Sequence, residues 1–282
     1  MLPDNRAPFR IFTGGSSDDT GLPEPHLLAS RELFRPVQTR VARRDLEPYS
    51  RSWFEELEIK RYAPHGAWLR RALEFSRHPG ETLLMMGPGV GSDALQYHRH
   101  GVQVTICTTS ADFPEVVRKN FEIRGLTVRI VQSIGDESIP YDKWSFDLAY
   151  WNALHDPPAD PAARIQELYR VLKPGGKLFA LFPARYNASF WQNVLIPFRR
   201  WYCSPAALTD APAYSGRRLR RLFSAFCDHR ISQRQLRRSE LPYLWRFFPL
   251  TLLERLMGHV LILRAFKPVS AALEALPVEA AA

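Results

Sequence analysis

The sequence has few cysteines, no long apolar run and, in its C-terminal third, too few acids to balance its arginines. The three cysteines, Cys107, Cys203 and Cys227, lie far apart and form no CxxC pair. Neither a disulfide framework nor a metal site is therefore indicated, and reduced thiols are expected. There is no stretch of about 18 uncharged apolar residues, the length a helix needs to cross a bilayer. The opening residues Met1-Leu-Pro-Asp-Asn-Arg lack the basic-then-apolar pattern of a secretory signal, which leads to the expectation of a cytoplasmic protein. No internal repeat is visible.

The 282 residues suffice for one substantial core domain with extensions. The net charge of +9 is unevenly placed: between Arg185 and Arg246 stand twelve arginines against three acids, Asp210, Asp228 and Glu240. A basic face of this kind fits nucleic acid, anionic lipid or plain solvation. The aromatic residues interleaved with the charge keep a peripheral membrane location among the readings.

The most informative stretch is Glu81-Thr-Leu-Leu-Met-Met-Gly-Pro-Gly-Val-Gly-Ser-Asp93, in which an apolar strand breaks into alternating glycines and then starts a helix. Gly87, Gly89 and Gly91 allow positive φ and let a ligand lie against bare peptide groups. The following helix carries unpaired N–H groups at its start. The spacing is G-x-G-x-G, without the third glycine of the dinucleotide fingerprint, which disfavours NAD and FAD.

Around this loop, strand and helix patterns alternate. The sequence predicts strands over Thr82–Met86, Gly101–Cys107, Thr127–Gln132, Phe146–Trp151 and Lys177–Phe182, with helices over Asp93–His100, Phe113–Arg124 and Pro161–Leu172 between them. That order argues for a parallel sheet with helices on both faces, with ligands beyond the carboxyl ends of its strands. Lys173-Pro-Gly-Gly176 reads as a turn. Two amphipathic helices are predicted between Trp53 and Phe75, a basic helix over Gly216–Phe226, and a last strand ending at Phe266. Residues 1–50 read as a flexible arm, 51–80 as lid helices, 81–268 as the main domain with a substrate or cap region at 184–257, and 269–282 as a tail.

From Tyr62 to Pro268 these residues resemble a class I S-adenosylmethionine-dependent methyltransferase of the type 11, UbiE-like small-molecule group. Met86-Gly-Pro-Gly-Val-Gly91 is similar to its cofactor loop, Gly135-Asp-Glu-Ser-Ile-Pro140 to the segment whose acid contacts the adenine amine, and Ser145-Phe-Asp-Leu-Ala-Tyr150 with Asn152-Ala-Leu-His155 to the fourth strand and its exit. Tyr169-Arg-Val-Leu-Lys-Pro-Gly-Gly-Lys-Leu178 matches the group's most specific string. The resemblance implies a Rossmann-like α/β fold with a mostly parallel seven-stranded sheet, a helical N-terminal lid and C-terminal cap elements. It implies S-adenosylmethionine as cofactor, held by Gly87, Gly89, Gly91, Thr108, Asp136 and Asn152. Methyl transfer needs alignment more than acid–base chemistry, and His155 is the candidate base or orienting group, with an unperturbed pKa of about 6.5. Asp156 reads as a turn or cap residue before Pro157-Pro158, and Asp147 as a residue serving the sheet end.

Two places depart from the family. Met85 replaces an acid two residues before the first glycine, and Thr108 replaces the acid ending strand two that binds both ribose hydroxyls. Loss of a charge-assisted bond costs on the order of 1–2 kcal/mol, about ten-fold in affinity. Three readings stay open. The first is methyl transfer to a small apolar acceptor such as a lipid, quinone or polyketide; the second is a degenerate fold acting as a binding or scaffold protein. An RNA-directed enzyme comes last, because no RNA-binding module is recognisable.

Overall fold

The computed structural model describes residues 46–63, 66–108, 112–133, 138–195, 212–238, 241, 245 and 247–272. Most of the expected N-terminal arm, Asp136 and the expected tail beyond Ala272 lie outside the described residues.

A seven-stranded sheet carries the chain. Its strands are β1 (Thr82–Met86), β2 (Gln103–Thr108), β3 (Arg129–Gln132), β4 (Phe146–Asn152), β5 (Leu172–Pro183), β6 (Cys227–Arg234) and β7 (Val260–Phe266). They stand in the order β3-β2-β1-β4-β5-β7-β6. All neighbours are parallel except β7, which runs antiparallel to both β5 and β6. Central strands buried on both faces explain the continuous apolar run of β1. Leu84 and Met86 join the core on one side, while Leu83 and Met85 join the core on the other, following the two-residue period of a strand.

The helices are α1 (Arg51–Arg61), α2 (Trp68–Leu73), α3 (Ser92–Arg99), α4 (Asp112–Glu122), α5 (Pro161–Val171), α6 (Ala188–Leu195), α7 (Gly216–Leu222) and α8 (Leu250–Met257). Their starts follow local chemistry. Asp160 accepts from Ala162 N at 2.7 Å, with Pro161 in the first turn of α5. Ser50 caps α1 and Ser215 caps α7 in the same way.

The structure refines three sequence expectations. The turn expected at Lys173–Gly176 lies inside β5: Phe146 pairs with Leu172 and Leu148 with Lys177, so the intervening residues loop out against a two-residue step of β4. The basic helix ends at Leu222, four residues earlier than expected. Most of all, Cys227–Arg234, inside the segment expected as a cap, is the edge strand β6. Its polar sequence CDHRISQR and half-exposed pattern reflect an edge position with little apolar burial to record.

Asp147 serves the sheet end as expected. It accepts from Thr82 N and Thr82 Oγ1 at 3.0 and 2.7 Å and from Lys173 Nζ at 2.7 Å, tying the start of β1 to β4 and to the β5 loop-out.

Candidate active site

Strand order reverses about β1, which has β2 on one side and β4 on the other. A crevice beyond the carboxyl ends of these strands is the place where open α/β sheets bind ligands. The loop from Gly87 to Gly91 occupies it. All three glycines have positive φ: 67° at Gly87, 59° at Gly89 and 88° at Gly91. At Gly87 the absence of a side chain is compulsory, since a Cβ there would stand 2.3 Å from the Asn152 carbonyl oxygen.

The loop is braced from behind. Val90 is buried among Tyr49, Trp53, Phe54 and Leu57 of the α1 region and Val116 of α4. Its carbonyl accepts from the buried Asn120 Nδ2 at 2.7 Å. Glu58 on α1 accepts from Gln96 at 2.6 Å and pairs with Arg99, both on α3. Helix α1 is thus fastened to the loop and to the helix that follows it.

Helix α3 begins behind Gly91 with no side-chain cap. Inside its first turn lies Asp93, whose site role sequence reasoning missed. This buried carboxylate accepts from Arg61 Nε and Nη2 at 2.9 and 2.5 Å, from Tyr62 Oη at 2.6 Å and from Tyr150 Oη at 2.6 Å. Burial alone would raise its pKa, but the Arg61 guanidinium and the hydrogen bonds from Arg61, Tyr150 and Tyr62 outweigh that and hold the carboxyl below its usual range. Tyr150 itself is pushed well above its usual value, first by burial and then by Asp93. A carboxylate therefore does stand behind the glycine loop, although Met85 fills the place where the family carries one. The available signal was an Asp at a helix start flanked by apolar positions, which reads equally well as a favourable charge at the helix dipole.

The other expected site residues cluster at the exits of β2 and β4. Thr108 ends β2 and is buried, with its carbonyl accepting from Ser133 N at 3.0 Å. Asn152 ends β4 and is buried; its carbonyl accepts from His155 N and Asp156 N, and its Oδ1 from Leu154 N at 3.2 Å. This turn carries His155, itself buried, beside the loop. Asp136 lies outside the described residues.

Asp156 does more than cap a turn. Its Oδ2 accepts from the fully buried Arg164 Nη1 at 3.1 Å, and the same nitrogen reaches Met86 Sδ at 3.6 Å. The residue next to Asn152 on the wall of Gly87 is thereby anchored to α5. Neighbouring Cys107 is raised to about 11, chiefly by burial, which keeps it a neutral thiol.

Near the carboxyl ends of β4 and β5 the buried core is aromatic. Trp151 packs edge-on against Phe182 at 5.0 Å between ring centres, and Phe182 against Tyr214 at 4.8 Å. Tyr214 is buried beside the end of β5, where it bridges to Ala184. Its Oη has no hydrogen-bond partner among the described residues, and burial raises its pKa. An unsatisfied buried phenol costs free energy unless something else meets it.

The sheet order and the glycine loop at its switch point are those of the Rossmann-like class I methyltransferase fold. Residues 84–180 match the family model described as a methyltransferase domain. Over 108 residues the chain is 29% identical to the tRNA 5-carboxymethoxyuridine methyltransferase of Escherichia coli (strain K12), covering 38% of this chain and 40% of that protein. Over 137 residues it is 28% identical to the demethylmenaquinone methyltransferase of Thermus thermophilus, covering 47% and 62% respectively. The chain spans less than two thirds of the length of these curated relatives. In fold it is similar to a SAM-dependent methyltransferase from Aquifex aeolicus, with a TM-score of 0.52 at 14% identity, over 77% of this chain and 98% of that one.

The loop suits the cofactor of this class. Peptide groups at three positive-φ glycines and an uncapped helix start offer N–H donors to an anionic group. The departure lies at the end of β2, where the resemblance leads one to expect a ribose-binding carboxylate and Thr108 offers one neutral hydroxyl.

Proposed function

We propose that this chain catalyses methyl transfer from S-adenosylmethionine to a small, apolar acceptor. When bound, the cofactor supplies an activated methyl group on a sulfonium. The protein's contribution is alignment and exclusion of water. Gly87–Gly91 receives the cofactor, the clasp of α1 on Val90 and Asp93 keeps the loop in one shape, and the turn Asn152–Asp156 forms the adjoining wall. His155 stands in that turn as the group to orient the acceptor or take its proton.

The single observation carrying the acceptor class is the buried aromatic cluster of Trp151, Phe182 and Tyr214 near the carboxyl ends of β4 and β5, in which the Tyr214 phenol has no hydrogen-bond partner among the described residues. An apolar surrounding with a lone polar atom suits an apolar molecule bearing one polar group. The test is calorimetric titration with S-adenosylhomocysteine, with Gly89→Arg as a blocked-loop control, followed by a methylation screen of apolar metabolites. Micromolar binding lost in the control supports the reading. Absence of binding at millimolar ligand would favour the degenerate, scaffold-type alternative.

An RNA acceptor is the second reading, favoured by the tRNA-modifying relative and by the exposed Arg217, Arg218, Arg220 and Arg221 of α7. Methylation of bulk tRNA with a steep salt dependence would select it over the first.

A further inference from the structure

The apolar residues of helix α8 extend beyond its buried side. Leu253 and Met257 are 4% and 2% exposed and seal a small core with Ala188, Leu236 and Leu241. Leu252 and Leu256, one turn apart, are 52% and 55% exposed on the adjoining, outward side, and Phe247 and Phe248 at the helix entry are 77% and 54% exposed. A surface helix ordinarily turns charge to water on that side. Single exposed leucines need no explanation, but a continuous stripe does.

The stripe continues onto a second segment. Gln233 Nε2 donates to the carbonyls of Tyr186 at 2.9 Å and Gly258 at 2.7 Å, and Trp191 Nε1 donates to the Leu256 carbonyl at 3.2 Å. Exposed Tyr186 thus lies alongside the end of α8. Among the described residues the exposed charges bordering this surface are of one sign. Arg255 stands on the exposed side of α8, and exposed Arg185 stacks on the Tyr186 ring at 5.8 Å. The one acid of α8, Glu254, is paired with Arg234, and the described residues 184–195 include no acid. Among the described residues no helix is long and apolar enough to cross a membrane, so the stripe suits contact with an interface rather than insertion.

We propose that α8, with the Phe247-Phe248 turn and Tyr186, docks on an anionic phospholipid surface. The apolar stripe enters the headgroup boundary while Arg185 and Arg255 meet lipid phosphates, the arrangement of an interfacial amphipathic helix. A second copy of the chain would cover the stripe equally well in area, but the bordering arginines would then face each other across a twofold interface, a like-charge cost that anionic lipid turns into attraction. The surface is independent of the methyl acceptor, so its test does not use catalysis.

The experiment is flotation of the full chain with vesicles of phosphatidylcholine, with and without phosphatidylglycerol, at low and high salt. The expected result is recovery with the phosphatidylglycerol vesicles that weakens with salt, and a drop of about ten-fold or more in the Leu252→Glu, Leu256→Glu double variant at unchanged melting temperature. Arg255→Gln leaves the apolar stripe intact and is expected to weaken only the phosphatidylglycerol-dependent part. Absence of recovery, or equal recovery of wild type and double variant, overturns the proposal. So does a wild-type dimer in light scattering that the double variant dissolves without any lipid binding.

Discussion

Arg61 and Asp93 form a buried, two-bonded ion pair that joins the end of α1 to the first turn of α3, immediately behind the glycine loop. Their side chains are 1% and 4% exposed. Removing one partner leaves the other buried without its counter-charge, which costs about 3–5 kcal/mol, whereas replacing both by apolar groups is often neutral. Arg61→Met is accordingly expected to lower stability by about that amount, and Arg61→Met with Asp93→Leu to recover only part of it, because the buried Tyr62 and Tyr150 hydroxyls then lose their acceptor. Urea denaturation of the single and double variants measures both.

At Gly87 the expected outcome is severe. The Cβ of Gly87→Ala would meet the Asn152 carbonyl at 2.3 Å on a backbone with φ of 67°. Backbone strain of this kind costs about 1–3 kcal/mol before the collision is counted. Thermal denaturation should show the loss, and S-adenosylhomocysteine titration should show a weakened site in whatever fraction folds.

Thr108→Asp tests the missing ribose carboxylate. It places a charge where Thr108 is now 1% exposed, so the free protein should melt lower. Affinity for S-adenosylhomocysteine should rise by about ten-fold through the charge-assisted bond, and saturating ligand should restore the melting temperature. Unchanged affinity would mean that β2 does not meet the ribose.

Acid should loosen the N-terminal segment through Glu74. Burial opposes ionisation of this residue, but the hydrogen bond and charge of Lys177, with Arg264 and Arg77, hold it below its ordinary value of 4.5. Because the folded pKa lies under the unfolded one, the unfolded state takes up the proton first as pH falls. The stabilisation is therefore fully present above 4.5 and is lost as pH drops through the lowered value. Glu74→Gln should flatten the acid limb of a stability-versus-pH curve while lowering its neutral plateau.

Lys267 produces a slope of the same sign in alkali. Its ammonium donates to the Tyr169 and Leu172 carbonyls at 2.6 and 2.8 Å, and burial lowers it from 10.5 to about 8. Between these values the unfolded chain holds a proton that the folded chain has released, so stability rises with pH from about 8 upward. In Lys267→Met that rise should disappear, as followed by denaturant midpoints across the alkaline range.

The alternation of strand and helix from Thr82 to Phe182 was legible in the sequence, because burial on both faces of a parallel sheet writes apolar runs and the intervening helices write their own period. The glycine loop was legible for a similar reason: positive φ at three positions restricts the residue type locally. Strand β6 was not, since an edge strand with little burial leaves no pattern in CDHRISQR. Nor were the pairs that shape the site. Asp93 meets Arg61 across 32 residues and Tyr150 across 57, and Asp156 finds Arg164 only when α5 packs on the sheet. Local sequence specifies each element through its own period and caps. Which polar groups share a buried volume is decided by how distant elements pack, where every buried charge must find a partner.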